Sequence, residues 1–349
     1  MLDAFAQAHG LPPVEVAGDA LVGFRHRARL AIRGRREAPK LGLFAAGSHR
    51  LVHIPNCQVH HPLINRVAEV VRHALIDSGL DCYSESVHRG LARYLQVVVE
   101  RRSQTAQVVV VGNATQVEPF AVLLETIRAR LGAQLHSLWF SAHPERSNVV
   151  LGREFHHWWG PASLVERYGG AEVHYPPGAF GQSHPAIAER IVAHVRERIP
   201  PGAHVAEFYG GVGAIGLSVL DRVASLRINE VAGESLHGLA LGLARLDPDV
   251  RARVSLWPGT AAAATPAAQG RTVVIADPPR KGLDPALIAA LASSPPRRFV
   301  YVSCEPRTMV ADAARLMAGG GFRLDSLAAF NQFPYTDHVE TVATFERRG

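Results

Sequence analysis

Apolar and polar positions alternate with a period of two in several short segments of the first 175 residues. The clearest is Arg25–Arg33 (RHRARLAIR), which predicts a strand with one basic face. Apolar residues recur at helical spacing in 62–78, which ends before Gly79, and in 117–131. Together they predict a mixed α+β domain, whose other strands are expected at 40–45, 50–54, 94–100 and 107–112.

From about residue 176 the pattern changes, and strand-like segments alternate regularly with helix-like ones. This alternation predicts an α/β domain built on a parallel, doubly wound sheet, and the last two strands are expected to pair as an antiparallel hairpin at the sheet edge. The predicted strands are 205–209, 223–229, 253–257, 272–276, 299–303, 322–330 and 338–347, and the helices are 185–199, 214–220, 235–246, 285–293 and 307–318.

Length and composition agree with two folded domains, for which we predict the ranges 1–175 and 176–349. With 47% hydrophobic and 19% charged residues, the chain has enough apolar side chains for a sizeable core. It has no apolar run of about 18 residues and no secretion signal, so no membrane partner is expected. Three cysteines without a CxxC pair argue against disulfides, an iron–sulfur cluster or a four-cysteine zinc site, and favour the cytoplasm.

The formal net charge of +6 favours a polyanionic partner, since a basic protein attracts nucleic acids non-specifically. The basic face of Arg25–Arg33 is a candidate for phosphate contacts in an N-terminal RNA-binding domain. The same arginines would equally suit a solvated sheet face, and the sequence leaves both interpretations open.

A glycine-rich turn, Glu207–Gly213 (EFYGGVG), separates a predicted strand from a predicted helix. It lacks the G-x-G-x-x-G spacing of dinucleotide-binding loops and the GK[ST] of phosphate-binding loops, which disfavours NAD and ATP. An acid that enters the loop, Glu207, and a second at the end of the next strand, Glu230, are typical of class I methyltransferases. A simple tight turn is the competing interpretation.

The next two strands of the predicted sheet both end in chemically capable residues. One ends in Asp277-Pro278-Pro279-Arg280, where prolines stiffen the turn that carries the acid, although a rigid loop with a helix-capping aspartate would look the same. The other ends in Cys304, just before a predicted helix whose N-terminus would favour a thiolate. Because ligands bind beyond the carboxyl ends of such strands, both residues are expected at one site.

Three motifs in this order resemble those of the RNA 5-methyluridine (uracil-C5) methyltransferases, a family that acts on the tRNA T-loop and on large-subunit ribosomal RNA. They are DPPRKG (277–282), YVSCEP (301–306) and FPYTDHVE (333–340). The segments GAFGQS (178–183), FRHRAR (24–29) and LFAAGSH (43–49) with IPNC (54–57) are also similar, so the resemblance spans roughly residues 20–347.

The resemblance implies a fold, a cofactor and a set of roles. A C-terminal class I, Rossmann-like domain would transfer a methyl group from S-adenosylmethionine to C5 of a uridine in structured rRNA or tRNA. Cys304 would be the nucleophile and Glu340 the general base. Asp277 would contact the uracil, and the cofactor would be held by Gln182, Glu207, Tyr209, Gly211, Gly213, Glu230 and Asp277. The chemistry adds two candidates for uracil binding: Phe180 as a stacking ring, and Arg280 as a donor to O4, although a phosphate contact or a surface ion pair would suit Arg280 equally.

Several positions depart from the family pattern: Glu305 stands where Asn or Asp usually follows the cysteine, and Gly210 stands where Cys is common. The segment after the second strand reads RINEVAGES (227–235), and the Asn that often ends the following helix region is replaced within 241–246. Two alternatives therefore remain. One is a methyltransferase that modifies an exocyclic amine, which would not need Cys304. The other is a non-catalytic RNA-binding protein on the same fold. No obligate protein partner is evident, and the choice between rRNA and tRNA stays open.

Overall fold

The computed structural model describes all 349 residues, which form two compact units. The strands are β1 Val16–Ala17, β2 Arg27–Arg35, β3 Ala38–Phe44, β4 Leu51–His53, β5 Ala92–Val99, β6 Ala106–Gly112, β7 Leu135–Ala142, β8 Glu154–Trp159, β9 Leu164–Tyr168, β10 Ala171–Tyr175, β11 Ala203–Phe208, β12 Val223–Glu230, β13 Val254–Pro258, β14 Val273–Ala276, β15 Arg298–Ser303, β16 Phe322–Phe330 and β17 Glu340–Arg347.

The α-helices are α1 Leu2–Ala8, α2 Pro62–Ser78, α3 Ala121–Leu131, α4 Pro185–Glu197, α5 Ala214–Ser218, α6 Gly233–Leu243, α7 Pro248–Arg251, α8 Pro285–Ser293 and α9 Pro306–Ala318. Short 3-10 helices cover Glu118–Phe120, Gly132–Gln134 and Thr265–Ala268. None of these helices combines the length and the apolar composition that a membrane span requires.

One unit comprises residues 1–19, 167–174 and 186–349 and is built on an eight-stranded sheet. Its strand order is β13-β12-β11-β14-β15-β17-β16-β1, and β11 to β15 run parallel. The predicted doubly wound sheet and antiparallel β16–β17 pair are therefore present. However, β17 lies between β15 and β16, and the two-residue strand β1 pairs with β16 beyond them.

The core of this unit explains why its C-terminal elements form. Buried aromatic rings of β15, β16 and β17 contact one another: Phe299 lies 5.8 Å from Phe345 and 6.4 Å from Phe322 between ring centroids. Helices α8 and α9 place Leu287, Leu291, Met309 and Leu316 on the same cluster. In α9 the apolar residues lie on one face, so folding can bury that face while the exposed Arg307 and Arg315 stay in water, whereas α8 contains no charged residue.

The other unit comprises residues 20–166 and 175–185 and contains a seven-stranded sheet in the order β4-β3-β2-β5-β6-β7-β8. Strands β5 and β6 are buried along their whole length, in keeping with their runs of valine. Helices α2 and α3 pack on one face of the sheet, and their apolar residues form the larger apolar cluster together with residues of the strands. Helix α2 runs from Pro62 to Ser78, as predicted, and ends at Gly79 in a left-handed conformation.

The structure divides the chain differently from the predicted ranges 1–175 and 176–349. Residues 1–19 and 167–174 belong with the C-terminal unit, and residues 175–185 belong with the other. A segment joins the sheet on which its side chains pack, whatever its position in the sequence. The pattern analysis also missed α1, β1 and the four strands β7 to β10, whose mixed polar and aromatic composition lacks a clean period of two.

Candidate active site

The carboxyl ends of the parallel strands meet at one edge of the eight-stranded sheet. Neighbouring strands end in register there, since Phe208 pairs with Ala276 and Ala276 pairs with Tyr301. Strand β17 runs the opposite way and begins at this edge, where Thr341 pairs with Ser303 and its Oγ1 donates a hydrogen bond of 3.0 Å to the Ser303 carbonyl. The edge therefore gathers the residues that follow β11, β14 and β15 and the first residue of β17.

Cys304, Asp277 and Glu340 lie together at this edge. Cys304 follows Ser303 directly and Glu340 precedes Thr341, so the two residues stand one step beyond the last pair of β15 and β17. The charges of Glu340, Asp277 and Arg280 all act on the Cys304 thiol. The structure thus brings together four residues that are separated by up to 63 positions in the sequence, as the motif analysis expected.

The protonation state of Cys304 differs from the expectation. The thiol is half-buried, and burial raises the pKa of Cys304 to about 11, with the carboxyl groups of Glu340 and Asp277 adding to the effect. Arg280 opposes this shift. The sequence argument, that the N-terminus of α9 favours a thiolate, was wrong for the free protein because desolvation and two acids outweigh a helix dipole. The free thiol is protonated near neutral pH.

Glu340 is a buried acid without a protein partner. Its side chain is 1% exposed, and neither carboxyl oxygen has a hydrogen-bond partner in the protein. Burial raises the pKa of Glu340 well above its ordinary value, and the nearby Asp277 raises it further. Burial also raises the pKa of Asp277 to about 7. A buried unpaired carboxyl group is costly for folding, which is characteristic of a site that holds a ligand or performs chemistry.

The glycine-rich turn adopts a conformation that most residues avoid. Tyr209, Gly211 and Gly213 have φ angles of +59°, +57° and +87°. A Cβ at Gly211 would meet no atom within 4 Å, so open space lies beside the turn, whereas a Cβ at Gly213 would come within 2.6 Å of Leu239. Left-handed backbone at a non-glycine residue costs on the order of 1–3 kcal/mol and is concentrated at functional sites.

Glu230 fixes the turn from the neighbouring strand. Its Oε2 accepts a 2.7 Å hydrogen bond from the Gly211 N–H, and its Oε1 accepts hydrogen bonds from Val231 and Ala232 N–H at 2.8 and 2.7 Å. One acceptor position on Oε2 remains, which matches the hydroxyl groups of a ribose. The acid at the end of β12 therefore lies beside the open space at Gly211.

Glu207 lies beneath the turn. It is 2% exposed, its Oε1 accepts a 3.2 Å hydrogen bond from Gly216 N–H, and a Cβ at Gly216 would lie 2.1 Å from its Oε2. A Cβ at Gly210 would come within 2.4 Å of Ile228, so a side chain there would need Ile228 to move. The Glu207 carboxyl group thus contacts the first turn of α5 and lies close to Gly210, and direct contact between Glu207 and the cofactor stays a prediction.

We expect Glu207→Gln to raise the unfolding temperature at about pH 8.5 by several degrees and to raise it much less at about pH 5.5. Burial raises the pKa of Glu207 to about 8, so the folded protein keeps a proton that an unfolded glutamate, with a pKa of about 4.3, has lost. Stability is therefore greatest at acid pH and falls as the pH rises through the folded pKa. The amide of glutamine does not titrate, so its contribution to stability does not change with pH.

Thermal unfolding at both pH values, followed by circular dichroism, measures this difference. Glu197→Gln is the control, because the Glu197 side chain is 69% exposed and its ion pair with Arg198 contributes little to stability. An equal change in unfolding temperature at both pH values would contradict a titrating Glu207.

A buried network that the sequence analysis did not identify holds the segment after Asp277. Asp312 Oδ2 accepts hydrogen bonds from Leu283 N–H (2.9 Å) and from the Tyr301 hydroxyl (2.8 Å). Thr308 Oγ1 donates to the Arg280 carbonyl at 3.1 Å. The sequence feature that could have revealed this network is an aspartate, Asp312, that lies among Met309, Ala313 and Leu316 on the apolar face of α9.

Tyr209 connects this segment to the glycine-rich turn. Its hydroxyl accepts a hydrogen bond of 3.0 Å from the Asp284 N–H, and Asp284 in turn caps α8 through Ala286 N–H. The aromatic residue predicted to contact the cofactor therefore also positions the loop that carries Asp277. Arg280 itself is exposed at the end of this loop.

Phe180 and Gln182 lie in the segment 175–185 of the other unit, and their predicted contacts with uracil and cofactor stay predictions. Phe180 is 67% exposed. The segment is held by Arg27, whose Nη1 donates to the Ala179 carbonyl at 2.9 Å and whose guanidinium lies 5.6 Å from the Tyr175 ring. A Cβ at Gly181 would come within 2.7 Å of both Arg27 and Tyr175, which explains the glycine.

The basic strand thus makes several contacts within the protein. Arg29 Nε donates to Gln96 Oε1 at 2.8 Å, and Arg33 pairs with Glu85 and lies over the rings of Phe44, Tyr83 and Tyr94. Arg25 and Arg29 remain exposed. The basic face is therefore partly structural, and only part of it is available to a phosphate.

Comparisons with known proteins agree with this geometry. Residues 269–348 match the family model described as tRNA (Uracil-5-)-methyltransferase. An uncharacterized RNA methyltransferase of Protochlamydia amoebophila (strain UWE25) is 32% identical over 94% of this chain and 87% of its own length. Another, from Lactobacillus johnsonii, is 30% identical over 93% of this chain and 72% of its own length.

The crystal structure of the Pyrococcus abyssi tRNA (uracil-54, C5)-methyltransferase, in complex with S-adenosyl-L-homocysteine, is similar in fold. It superposes with a TM-score of 0.81 at 22% identity and covers 99% of this chain and 81% of its own. This similarity confirms the predicted α/β fold with a Rossmann-like methyltransferase sheet.

Proposed function

Because this chain belongs to the RNA methyltransferases of the uracil-5 family, we propose that it transfers a methyl group from S-adenosylmethionine to C5 of a uridine in tRNA or rRNA, through a covalent bond between Cys304 Sγ and C6. The observation that carries the proposal is the meeting of Cys304, Asp277 and Glu340 at one sheet edge, where Glu340 is buried without a protein partner.

The residues around the glycine-rich turn suit S-adenosylmethionine. Glu230 would accept hydrogen bonds from the ribose, and the open space beside Gly211 would admit the ligand close to the backbone. Gln182, Tyr209 and Gly213 complete the proposed set. When bound, the cofactor supplies an electrophilic methyl group and a positive charge on its sulfur.

Cys304 begins the reaction. C5 of uracil is a weak nucleophile, and addition of sulfur to C6 makes C5 electron-rich, so one difficult step becomes two easier ones. In the free protein the pKa of Cys304 is about 11, so the thiol must lose its proton to water as the site fills. Displacement of water alone would oppose that ionisation, whereas the positive charges of Arg280 and of the sulfur of bound S-adenosylmethionine would favour it.

Asp277 and Arg280 would hold the uracil ring. The carboxylate of Asp277 accepts the N3–H of uracil, and Arg280 stabilises the negative charge that develops on O4 after sulfur addition. A target base inside folded RNA must first leave its stack, and a ring such as Phe180 offsets part of that cost, by about 1–3 kcal/mol per stacked base. The exposed Arg25 and Arg29 would contact phosphates without reading the sequence.

Glu340 completes the reaction by accepting the proton from C5 after methyl transfer, whereupon the C6–sulfur bond breaks and Cys304 leaves. The environment that raises the pKa of Glu340 also makes its ionised form a stronger base. The positive charge that favours ionisation of Cys304 in the filled site also favours ionisation of Glu340.

RNA that contains 5-fluorouridine, incubated with S-adenosylmethionine, should give a protein–RNA adduct that survives denaturation. Fluorine at C5 cannot leave as a proton, so the final elimination stalls and the covalent bond persists. Tracking the adduct on denaturing gels with tRNA transcripts and with large-subunit ribosomal RNA tests both substrate classes. The tRNA comes first because the fold neighbour acts on uracil-54 of tRNA.

Two controls decide the outcome of this experiment. The same RNA without the cofactor should give much less adduct, and RNA with ordinary uridine should leave methylated product and little adduct. Absence of a stable adduct with both RNA classes, in the presence of cofactor, would exclude the covalent route.

A further inference from the structure

A cleft of about 750 Å³ opens beside the candidate active site. It is lined by two segments, residues 305–308 at the start of α9 and residues 335–338 before β17. Neither segment has a role in the chemistry proposed above. A volume of this size accommodates a ligand such as one nucleotide.

The residues that line the cleft are close in sequence to the proposed catalytic residues. Glu305 directly follows Cys304, and His338 precedes Glu340 by two residues. Both segments start from the sheet edge where Ser303 pairs with Thr341. A group bound in the cleft would therefore lie next to the pyrimidine bound at Cys304.

Tyr335 presents an aromatic ring at the cleft. It is 71% exposed, the largest exposed fraction among the large hydrophobic side chains, and its φ angle is +66°. Left-handed backbone is unfavourable for a tyrosine, and a ring that stays exposed contributes little hydrophobic stabilisation to the folded protein. An exposed ring at the edge of a polar cleft is the arrangement that stacks on a nucleobase.

The polar side chains around Tyr335 suit a base and its phosphate. Glu305 Oε1 accepts a hydrogen bond from Arg307 N–H at 3.4 Å, while Oε2 lies 3.8 Å from His338 Nδ1, beyond hydrogen-bond distance, and can accept from another donor. Asp337 is exposed and offers a second acceptor. Amino and imino groups of bases donate to carboxylates, and the exposed Arg307 suits a phosphate.

We propose that this cleft binds the base of a nucleotide next to the target uridine, stacked on Tyr335 with its edge towards Glu305 and Asp337. The inference rests on the proposed function, since it concerns recognition of the same RNA. In this proposal Glu305 contributes to substrate selection. It stands where the family usually has Asn or Asp after the cysteine.

Tyr335→Ala should weaken RNA binding by about tenfold or more, whereas Tyr335→Phe should bind like the wild type, because the ring and not the hydroxyl stacks. Tyr335→Gly is the matched control for the backbone: glycine adopts the positive φ without strain, so it should lose as much affinity as alanine. Equilibrium binding of unmodified tRNA transcripts and of large-subunit ribosomal RNA measures all three variants. Equal affinities for wild type and Tyr335→Ala, or no binding of either RNA, would overturn the proposal.

Abasic substitution locates the stacked base. Each nucleotide flanking the target is replaced in turn by an abasic residue, and the affinity loss caused by Tyr335→Ala should vanish for one position only. An undiminished loss at every position would assign Tyr335 a structural role and overturn the inference. Failure of the wild type to trap 5-fluorouridine RNA would instead refute the covalent chemistry, and the binding comparison would still decide the role of Tyr335.

Discussion

Replacement of Cys304 by alanine is expected to lower the rate of methyl transfer by at least about a thousandfold and to abolish the adduct with 5-fluorouridine RNA. Without the sulfur, C5 of the pyrimidine stays a weak nucleophile, and the remaining residues can only position the two substrates. Cys304→Ser should show nearly the same loss, because a hydroxyl group ionises far less readily than a thiol.

The measurement is transfer of a labelled methyl group to RNA, together with binding of S-adenosylmethionine and of RNA. Both binding affinities should persist in Cys304→Ala, since the groups that hold the ligands remain. Cys57→Ala is the matched control: it removes a partly exposed cysteine of the other unit and should keep full activity.

Two results would redirect the interpretation. Full activity in Cys304→Ala would favour a methyltransferase that modifies an exocyclic amine, which needs no sulfur nucleophile. RNA binding by the wild type without binding of S-adenosylmethionine or methyl transfer would favour a non-catalytic RNA-binding protein.

Glu340→Gln is expected to accumulate a covalent adduct with ordinary RNA and to reduce turnover by about 10²- to 10⁴-fold. Glutamine has nearly the same shape but cannot accept the C5 proton, so the reaction should stop after methyl transfer. The stalled species should carry one labelled methyl group per RNA. An adduct without the label would place the block before methyl transfer.

Glu197→Gln controls for the loss of a carboxyl group elsewhere in the same unit, because Glu197 is exposed and remote in sequence from the three motifs. Normal turnover by Glu340→Gln would assign the proton transfer to another group. Asp277 is a candidate, since it lies close enough for its charge to raise the pKa of Glu340.

Two of the three motifs, DPPRKG and YVSCEP, lie at the carboxyl ends of neighbouring strands of the parallel part of the sheet. Such strands align their carboxyl ends, so Asp277 and Cys304 could be assigned to one edge from the sequence alone. The position of Glu340 could not be assigned from this alignment of strand ends. Its strand runs antiparallel and is inserted between β15 and β16, and only that strand order brings Glu340 beside Cys304. Its place was expected from the family resemblance and not from its pattern.

Other features were decided by packing that leaves little trace in a local pattern. Arg27 looked like one member of a basic strand face, but its guanidinium binds the Ala179 carbonyl, 152 residues away in the sequence. Strands β7 to β10 were missed because their mixed composition lacks a clean period of two, and residues 167–174 belong to the C-terminal unit although they lie within the sequence range of the other.

By itself the sequence determined the helix Pro62–Ser78 and most strands of the Rossmann-like sheet, because periodicity is a local property, and its motif order predicted the residues of the candidate site. Tertiary structure decided the protonation of that site. Folding raises the pKa of the Cys304 thiol to about 11 and raises the pKa of Glu340 well above its ordinary value, because it removes both groups from water and sets acidic groups beside them. Desolvation and charge proximity depend on three-dimensional distances, which no local pattern contains.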